Sequence, residues 1–268
     1  MKTIVIDVDL CIGCRNCQFA CKDEHFDNDW SPIAKPQPEE HLWMKVSEIE
    51  RGSIPKLVVD WVPLMCLHCD NAPCIPACPE TAIYKRADGI VIIDPQKCTG
   101  CKDCMDACPY GVIYFNEGLK LCQKCTMCAH LLDDGWKEPR CVTACPTGAL
   151  IFGEEAELGE VLANAIELRP ETGARPRVKY QNYPAPFIAG EVYSPAEDLC
   201  LEGVTIKIQN IVSGAIQSTQ TDSYGDFWLK GLDQGAYTLT IERPGYYPKK
   251  IEGIRPDANL GAIRLYKR

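Results

Sequence analysis

Long apolar runs are missing from this sequence of 268 residues. No stretch has the apolar length that a transmembrane helix needs, and the start lacks the apolar core of a signal peptide, since a cysteine motif begins at residue 11. We therefore expect no direct membrane span and a cytoplasmic location. A periplasmic location stays open if a partner carries the export signal for both chains.

Basic charge and catalytic groups are also scarce. The formal net charge is −9, which argues against the basic surface that nucleic-acid binding requires. There are four histidines, and no Ser–His–Asp set, phosphate-binding loop or supported pair of carboxylates is recognisable. We expect no nucleic-acid partner, no catalytic residues and a chain that is not itself an enzyme.

Cysteine, by contrast, is abundant and unevenly distributed. Of the 18 cysteines, all but Cys200 lie between Cys11 and Cys145. Small secreted domains use cysteine for disulfides, but a disulfide framework does not require four similar groups of four. The four groups, which we call tetrads, are Cys11, Cys14, Cys17 and Cys21; Cys66, Cys69, Cys74 and Cys78; Cys98, Cys101, Cys104 and Cys108; and Cys125, Cys128, Cys141 and Cys145.

The first and third tetrads have the spacing C-x2-C-x2-C-x3-C of bacterial ferredoxins, in which cysteine thiolates hold a [4Fe–4S] cluster. A short predicted strand with an aspartate, Asp7 or Asp94, precedes each of them, so the chain contains an internal repeat. In the second, third and fourth tetrads, proline follows the last cysteine and stops the preceding turn, whereas Lys22 follows Cys21. We interpret Lys22 as a variation without consequence for ligation.

Ferredoxin runs predict crossed ligation, because the fourth cysteine of one run binds the cluster of the other run. Adjacency pairs the second tetrad with the third, which leaves the first to pair with the fourth across the whole inner half. The predicted ligand sets are Cys66, Cys69, Cys74 with Cys108; Cys98, Cys101, Cys104 with Cys78; Cys11, Cys14, Cys17 with Cys145; and Cys125, Cys128, Cys141 with Cys21.

Zinc is the alternative metal for CxxC pairs, but triple runs closed by Cys-Pro favour four [4Fe–4S] clusters. Cys122 is interpreted as a buried non-ligand and Cys200 as an inert small apolar residue. His68 and His130 can donate a hydrogen bond to a cluster or pack against a loop. Four basic residues flank ligands, where they offset cluster charge or are simply solvated: Lys97, Lys102, Lys124 and Arg140.

The remaining segments predict a second domain and a connection to it. The proline- and tryptophan-rich insertion between Cys21 and Cys66 is either a binding surface or a cover over the clusters. Residues 153–186 predict an amphipathic helix followed by an extended proline-rich connector. Short alternating runs over 187–268 predict an all-β sandwich of about seven strands, which resembles carboxypeptidase-regulatory-like domains. The predicted fold is α+β, with a duplicated ferredoxin-like domain at 1–152.

The four tetrads, the last of them opened by a long gap, resemble the four-cluster iron–sulfur subunits of the dimethyl-sulfoxide-reductase family of bis-pterin molybdenum or tungsten enzymes. Segments outside the tetrads, such as HLWMKVSEIERGSIP and QKCTMCAHLLDD, are similar to the small subunits of pyrogallol–phloroglucinol transhydroxylases. The resemblance implies a large molybdopterin catalytic partner, hydroxylated aromatics as the substrate class of the complex, and an external electron carrier.

One departure from those small subunits is informative. In them one tetrad is degenerate, whereas all four are intact here, and transhydroxylation involves no net redox change. The resemblance therefore implies a subunit that relays single electrons to or from the partner. The alternatives are a transhydroxylase subunit with no net electron output, an autonomous polyferredoxin, and a structural subunit with vestigial clusters.

Overall fold

The computed structural model describes residues 1–268, which divide into two compact units. The first, which we call the cysteine unit, comprises Met1–Ile49 and Asp60–Tyr183. The second, the β unit, comprises Glu50–Val59 and Pro184–Arg268. No helix of the chain is both long and apolar enough to cross a membrane.

The cysteine unit is built from short elements joined by cysteine-bearing loops. Its strands are β1 (Lys2–Asp7), β4 (Ile83–Lys85), β5 (Val91–Ile93), β6 (Tyr114–Asn116), β7 (Leu121–Gln123), β8 (Leu150–Glu154) and β9 (Val178–Gln181), together with the parts of β2 (Lys45–Ser53) and β3 (Lys56–Leu64) that lie outside Glu50–Val59. Its helices are α1 (Asn16–His25), α2 (Asp103–Ala107), α3 (Ala129–Asp133), α4 (Arg140–Thr143) and α5 (Gly159–Ala163), with a 3-10 turn at Pro170–Thr172.

A three-stranded sheet brings the two ends of the cysteine unit together. β1 pairs antiparallel with β8 on one side and parallel with β9 on the other. Ile4, Val5 and Ile6 are fully buried, as expected for a central strand covered on both faces. Because β1 leads into Cys11 and β8 follows Cys145, this pairing joins the first tetrad to the end of the fourth.

Residues 153–186 differ from the prediction. The one α-helix, α5, spans five residues, and none of its side chains is buried. The chain turns extended at Ile166, which exchanges backbone hydrogen bonds with Tyr180 at 2.7 and 3.0 Å. The predicted connector contains β9, whose Val178 and Tyr180 are fully buried. The apolar residues of the helical pattern therefore do not form a packed helix: Ile166 pairs with Tyr180 through its backbone and its side chain is exposed.

The β unit is a sandwich of two four-stranded sheets, which confirms the predicted all-β sandwich with one strand more than expected. One sheet has the order β11-β10-β14 with β17 parallel to β10, and the other has the order β13-β12-β15-β16. The strands are β10 (Phe187–Ser194), β11 (Leu199–Cys200), β12 (Thr205–Asn210), β13 (Ile216–Gln220), β14 (Asp226–Lys230), β15 (Tyr237–Glu242), β16 (Lys249–Ile254) and β17 (Ala258–Arg264).

Alternation builds the core of this sandwich. Along β12, Ile206 and Ile208 are buried while Lys207 and Gln209 are exposed, so one face of the strand joins the core. The tip of the β2–β3 hairpin also belongs to the β unit, where the Lys56 ammonium lies 2.6 Å from the Asp226 carboxylate. No sequence pattern indicates that residues from the insertion before Cys66 join the C-terminal domain.

Candidate metal centres

The four CxxC loops share one backbone conformation. In each, the residue before the second cysteine has a positive φ: Gly13 (67°), His68 (46°), Gly100 (75°) and Met127 (53°). A left-handed residue at this point curls the loop so that successive backbone N–H groups face inward, an arrangement suited to negatively charged sulfur. The Met127 N–H accordingly donates to Cys125 Sγ at 3.3 Å.

The three Cys-Pro segments also share a conformation. The residue three positions after the cysteine has a positive φ in each: Thr81 (49°), Gly111 (63°) and Gly148 (70°). A short strand then follows, namely β4, β6 or β8. Before Pro109, Cys108 is extended and ends α2, because the proline ring disfavours a helical residue in front of it.

Lys22 takes the place of that proline in the first tetrad, and its role was missed in the sequence. Without a proline, α1 continues past Cys21 to His25. The Lys22 ammonium donates to the carbonyl oxygens of Pro38, Glu39 and His41 at 2.7, 3.0 and 2.5 Å. Lys22 therefore ties α1 to residues 38–41 of the insertion.

The insertion covers one group of cysteines. Trp43 and Met44 are each 1% exposed, and the Met44 backbone N–H donates a hydrogen bond to the Cys21 sulfur. The insertion was predicted to be either a binding surface or a cover over the clusters, and residues 43–44 act as a cover.

The sixteen tetrad cysteines fall into four groups that act electrostatically on one another. We name these groups in spatial order as sets A to D. Set A is Cys11, Cys14, Cys17 and Cys145; set B is Cys21, Cys125, Cys128 and Cys141; set C is Cys66, Cys69, Cys74 and Cys108; and set D is Cys78, Cys98, Cys101 and Cys104.

Interactions between cysteines connect set A with set B, set B with set C, and set C with set D, and we call this succession the line of sets. Cys17 of set A acts on Cys21 and Cys141 of set B. Cys66 of set C acts on Cys125 of set B, and Cys104 of set D acts on Cys74 of set C. The spatial order is therefore A, B, C, D, which differs from the order of the tetrads along the chain.

Only the two end sets contain an exposed tetrad cysteine. Cys14 in set A and Cys101 in set D are exposed, whereas every cysteine of sets B and C is buried or half-buried. The line of sets therefore has a buried middle and two ends at the surface of the cysteine unit.

Set C surrounds a cavity. All four of its cysteines line it, and the other lining residues are mostly apolar, including Val91, Val112 and Ile113. No three Cys, His, Asp or Glu side chains of the chain lie close enough together to hold a single metal ion. The four sulfur atoms of set C stand around the cavity instead.

Burial makes these thiols poor anions on their own. It is the largest cause that raises the pKa values of Cys17, Cys69, Cys74 and Cys128 to about 12 and that of Cys125 to about 11. A metal centre removes the thiol protons and supplies the positive charge that a buried thiolate lacks. Four thiols with inward backbone N–H donors and apolar walls thus fit a [4Fe–4S] cluster.

The two cysteines outside the tetrads differ in their surroundings. Cys122 is buried in β7 beside set D, where hydrogen bonds from its thiol and its backbone N–H lower the pKa of Cys98. Cys200 was expected to be a small apolar residue, but it is exposed and its thiol lies 3.3 Å from the Glu191 carboxylate. The short edge strand β11 leaves this side chain in solvent.

The two histidines that flank ligands have different surroundings. His130 packs with the insertion, because its ring stacks on Trp30 and its Nε2 lies 3.0 Å from the Glu24 carboxylate. His68 is fully buried and lines the set C cavity. Val91 N–H donates to His68 Nδ1 at 3.0 Å, and Nε2 has no partner.

The four basic residues that flank ligands differ in their exposure to solvent. The side chains of Lys97 and Lys102 are 61% and 49% exposed, and that of Arg140 is 30% exposed beside Glu24. Lys124 is only 2% exposed as a residue. Lys124 is thus the one member of this group with a fully buried charge.

Comparisons with known proteins agree with this architecture. Residues 57–155 match the 4Fe-4S dicluster domain family, and residues 188–262 match the carboxypeptidase regulatory-like domain family. The chain is 38% identical to the pyrogallol hydroxytransferase small subunit of Pelobacter acidigallici, over 98% of each chain.

Two further relatives are subunits of reductases. The chain is 33% identical to a tetrathionate reductase subunit of Salmonella typhimurium over 69% of this chain and 74% of that one. It is 30% identical to the arsenate respiratory reductase iron-sulfur subunit of a Shewanella species over 66% and 94% of the two chains. The chain therefore belongs to the family of iron–sulfur subunits of dimethyl-sulfoxide-reductase-type oxidoreductases.

Proposed function

We propose that this chain holds four [4Fe–4S] clusters and relays single electrons between a large bis-pterin molybdenum or tungsten catalytic subunit and an external carrier. The observation that carries the proposal is the line of four cysteine sets with exposed cysteines only at its ends. When bound, each cluster takes up and gives back one electron at a potential set by its surroundings. Family membership supports the large partner.

Sets A to D are the proposed ligand sets, and they have the crossed composition expected from ferredoxins. Support comes from the sheet pairs that join the segments concerned. β8 and β1 join Cys145 to the first tetrad, and β4 and β5 join Cys78 to the third. The cysteine unit is proposed to consist of two ferredoxin-like halves, one with sets A and B and the other with sets C and D.

The chain's own residues have distinct tasks in this scheme. Apolar side chains such as Val91, Val112 and Ile113 exclude water from set C, which keeps electrons from leaking to solvent oxidants. Inward backbone N–H groups stabilise the negative sulfur ligands. Exposed Cys14 and Cys101 mark the two points at which electrons enter and leave the chain.

Hydroxylated aromatic compounds are the proposed substrate class of the whole complex, which we place in the cytoplasm. The substrate class follows from the relative whose name includes pyrogallol, because that relative matches nearly the full length of the chain, including the β unit. Four complete cysteine sets favour net electron transfer, because a transhydroxylation without net redox change has no need of a surface-to-surface relay.

Co-purification tests the partner. The full chain with an affinity tag, expressed in its native host, should recover a large protein that contains pterin and molybdenum or tungsten. Cys200→Ser is the matched control, since it removes an exposed cysteine outside all four sets and should recover the same complex. Recovery of the tagged chain alone, with its iron, would favour an autonomous polyferredoxin.

A further inference from the structure

Two buried polar side chains beside set C are held by the same residue, Val91 of β5. The Val91 N–H donates to His68 Nδ1, and the Val91 carbonyl oxygen accepts a hydrogen bond from the Lys124 ammonium. His68 is 0% and Lys124 is 2% exposed. Because both polar groups are shielded from solvent, each needs a hydrogen-bond partner inside the protein.

The hydrogen bond from Val91 fixes the histidine tautomer. A ring nitrogen that accepts a hydrogen bond carries no proton, so in the neutral ring the proton lies on Nε2. That Nε2–H is buried and unpaired, and the residue lines the cavity around which Cys66, Cys69, Cys74 and Cys108 stand. The counterpart His130 differs, because its Nε2 is already paired with Glu24.

Lys124 lacks a counter-ion among the acidic residues. Its ammonium donates to the carbonyl oxygens of Val91 and Cys125, the latter at 3.1 Å, and no aspartate or glutamate pairs with it. Its positive charge acts on Cys74 of set C and on Cys125 of set B. A buried cation placed between two groups of thiols is compensated when those groups carry negative charge.

We propose that His68 and Lys124 are positioning residues that raise the reduction potential of the cluster at set C, His68 through its Nε2–H and Lys124 through its charge. This inference rests on the proposed function. The reduced form of a cluster carries one more negative charge than the oxidised form, so a nearby N–H donor and cation stabilise the reduced form more. Set C therefore favours holding the electron relative to set D.

Substitution tests the proposal in the complete complex. His68→Leu removes the N–H donor, Lys124→Met removes the charge, and Lys124→Arg keeps it. Potentiometric titration followed by electron paramagnetic resonance measures each cluster, and the set C signal is the one that Cys69→Ser abolishes. Lys97→Met is the matched control, because Lys97 also precedes a ligand but is exposed.

We expect His68→Leu and Lys124→Met each to lower the reduced-to-oxidised ratio of the set C cluster about tenfold at fixed potential, which is about 59 mV for a one-electron couple. Lys124→Arg should restore most of that shift, and Lys97→Met should leave the potential at the wild-type value. Full iron content with an unshifted set C potential in both variants would overturn the inference while leaving the proposed function standing. Wild-type protein without iron–sulfur clusters would overturn the proposed function itself.

The hydrogen bond from His68 can also be tested in unsubstituted protein, so the test does not depend on whether a variant keeps its cluster. Protein labelled with 15N only in histidine should show nitrogen coupling to the reduced set C cluster in pulsed paramagnetic resonance, because His68 Nε2–H is proposed to donate a hydrogen bond to it. Solvent deuterium exchange should change a proton coupling in the same spectrum. Absence of any histidine nitrogen coupling would overturn the role of His68.

Discussion

Two glycines of the cysteine unit, Gly100 and Gly111, allow backbone strain to be separated from steric overlap. Both have a left-handed φ, +75° and +63°. A Cβ added at Gly100 would overlap the carbonyl oxygen of Lys120 and approach a Phe115 ring carbon at 3.0 Å, whereas a Cβ at Gly111 would meet nothing within 4 Å. Substitution by alanine therefore imposes backbone strain at both positions but steric overlap only at Gly100.

The shared cost is the left-handed conformation, about 1–2 kcal/mol for a residue with a Cβ. At Gly100 the overlap adds about 1–3 kcal/mol, because the obstructing atom belongs to the backbone of the β6–β7 turn and cannot rotate away. We therefore expect Gly111→Ala to destabilise the cysteine unit by about 1–2 kcal/mol and Gly100→Ala by about 2–5 kcal/mol.

Loss of visible cluster absorption in urea, under anaerobic conditions, measures the two variants side by side. Cluster loss should occur at clearly lower urea in Gly100→Ala than in Gly111→Ala, with unsubstituted protein the most resistant. Equal midpoints for the two variants would refute the close approach of the Lys120 carbonyl to the loop of set D.

Cys108→Ser should remove the paramagnetic signal of the set C cluster and leave that of set D, which includes Cys108's own tetrad neighbours; loss of the set D signal instead would show that the pairing is wrong. Ending the chain after residue 186 should keep the iron content but reduce recovery of the large partner, since the sandwich holds no tetrad; a missing cluster would instead assign it a supporting role. Cluster insertion into iron-free protein should be faster at pH 9 than at pH 7, because thiols with pKa values raised to about 12 by burial, such as Cys17 and Cys69, are protonated at pH 7 and the thiolate fraction grows with pH; a rate independent of pH would contradict this.

Cysteine spacing predicted the local part of the candidate site. The loops of the four tetrads follow from a few residues each, and glycine at Gly13 and Gly100 already indicates a left-handed turn before the second cysteine. His68 and Met127 take the same conformation without glycine, so sequence alone does not reveal that all four loops are alike.

The order of the sets could not be predicted from spacing. It depends on the pairing of β1 with β8, which joins segments nearly 150 residues apart and is fixed by tertiary contacts. The burial of Lys124 is equally invisible in the sequence, where it looks like the exposed Lys97 and Lys102.

In the β unit, too, local structure could be predicted from the sequence and long-range contacts could not. Its alternating strands were predictable, because one face of each must join the core. The hairpin tip at Glu50–Val59 was not, since its contacts with Asp226 and Asn259 involve residues far along the chain.

The number and kind of metal atoms decide whether the four cysteine sets hold iron–sulfur clusters. Iron, acid-labile sulfide and zinc should be determined in anaerobically purified full-length protein. Four cubanes held by sets A to D require about sixteen irons and as many sulfides per chain. About twelve irons would mean that one set is not a cluster site, and zinc in place of iron would contradict the account altogether.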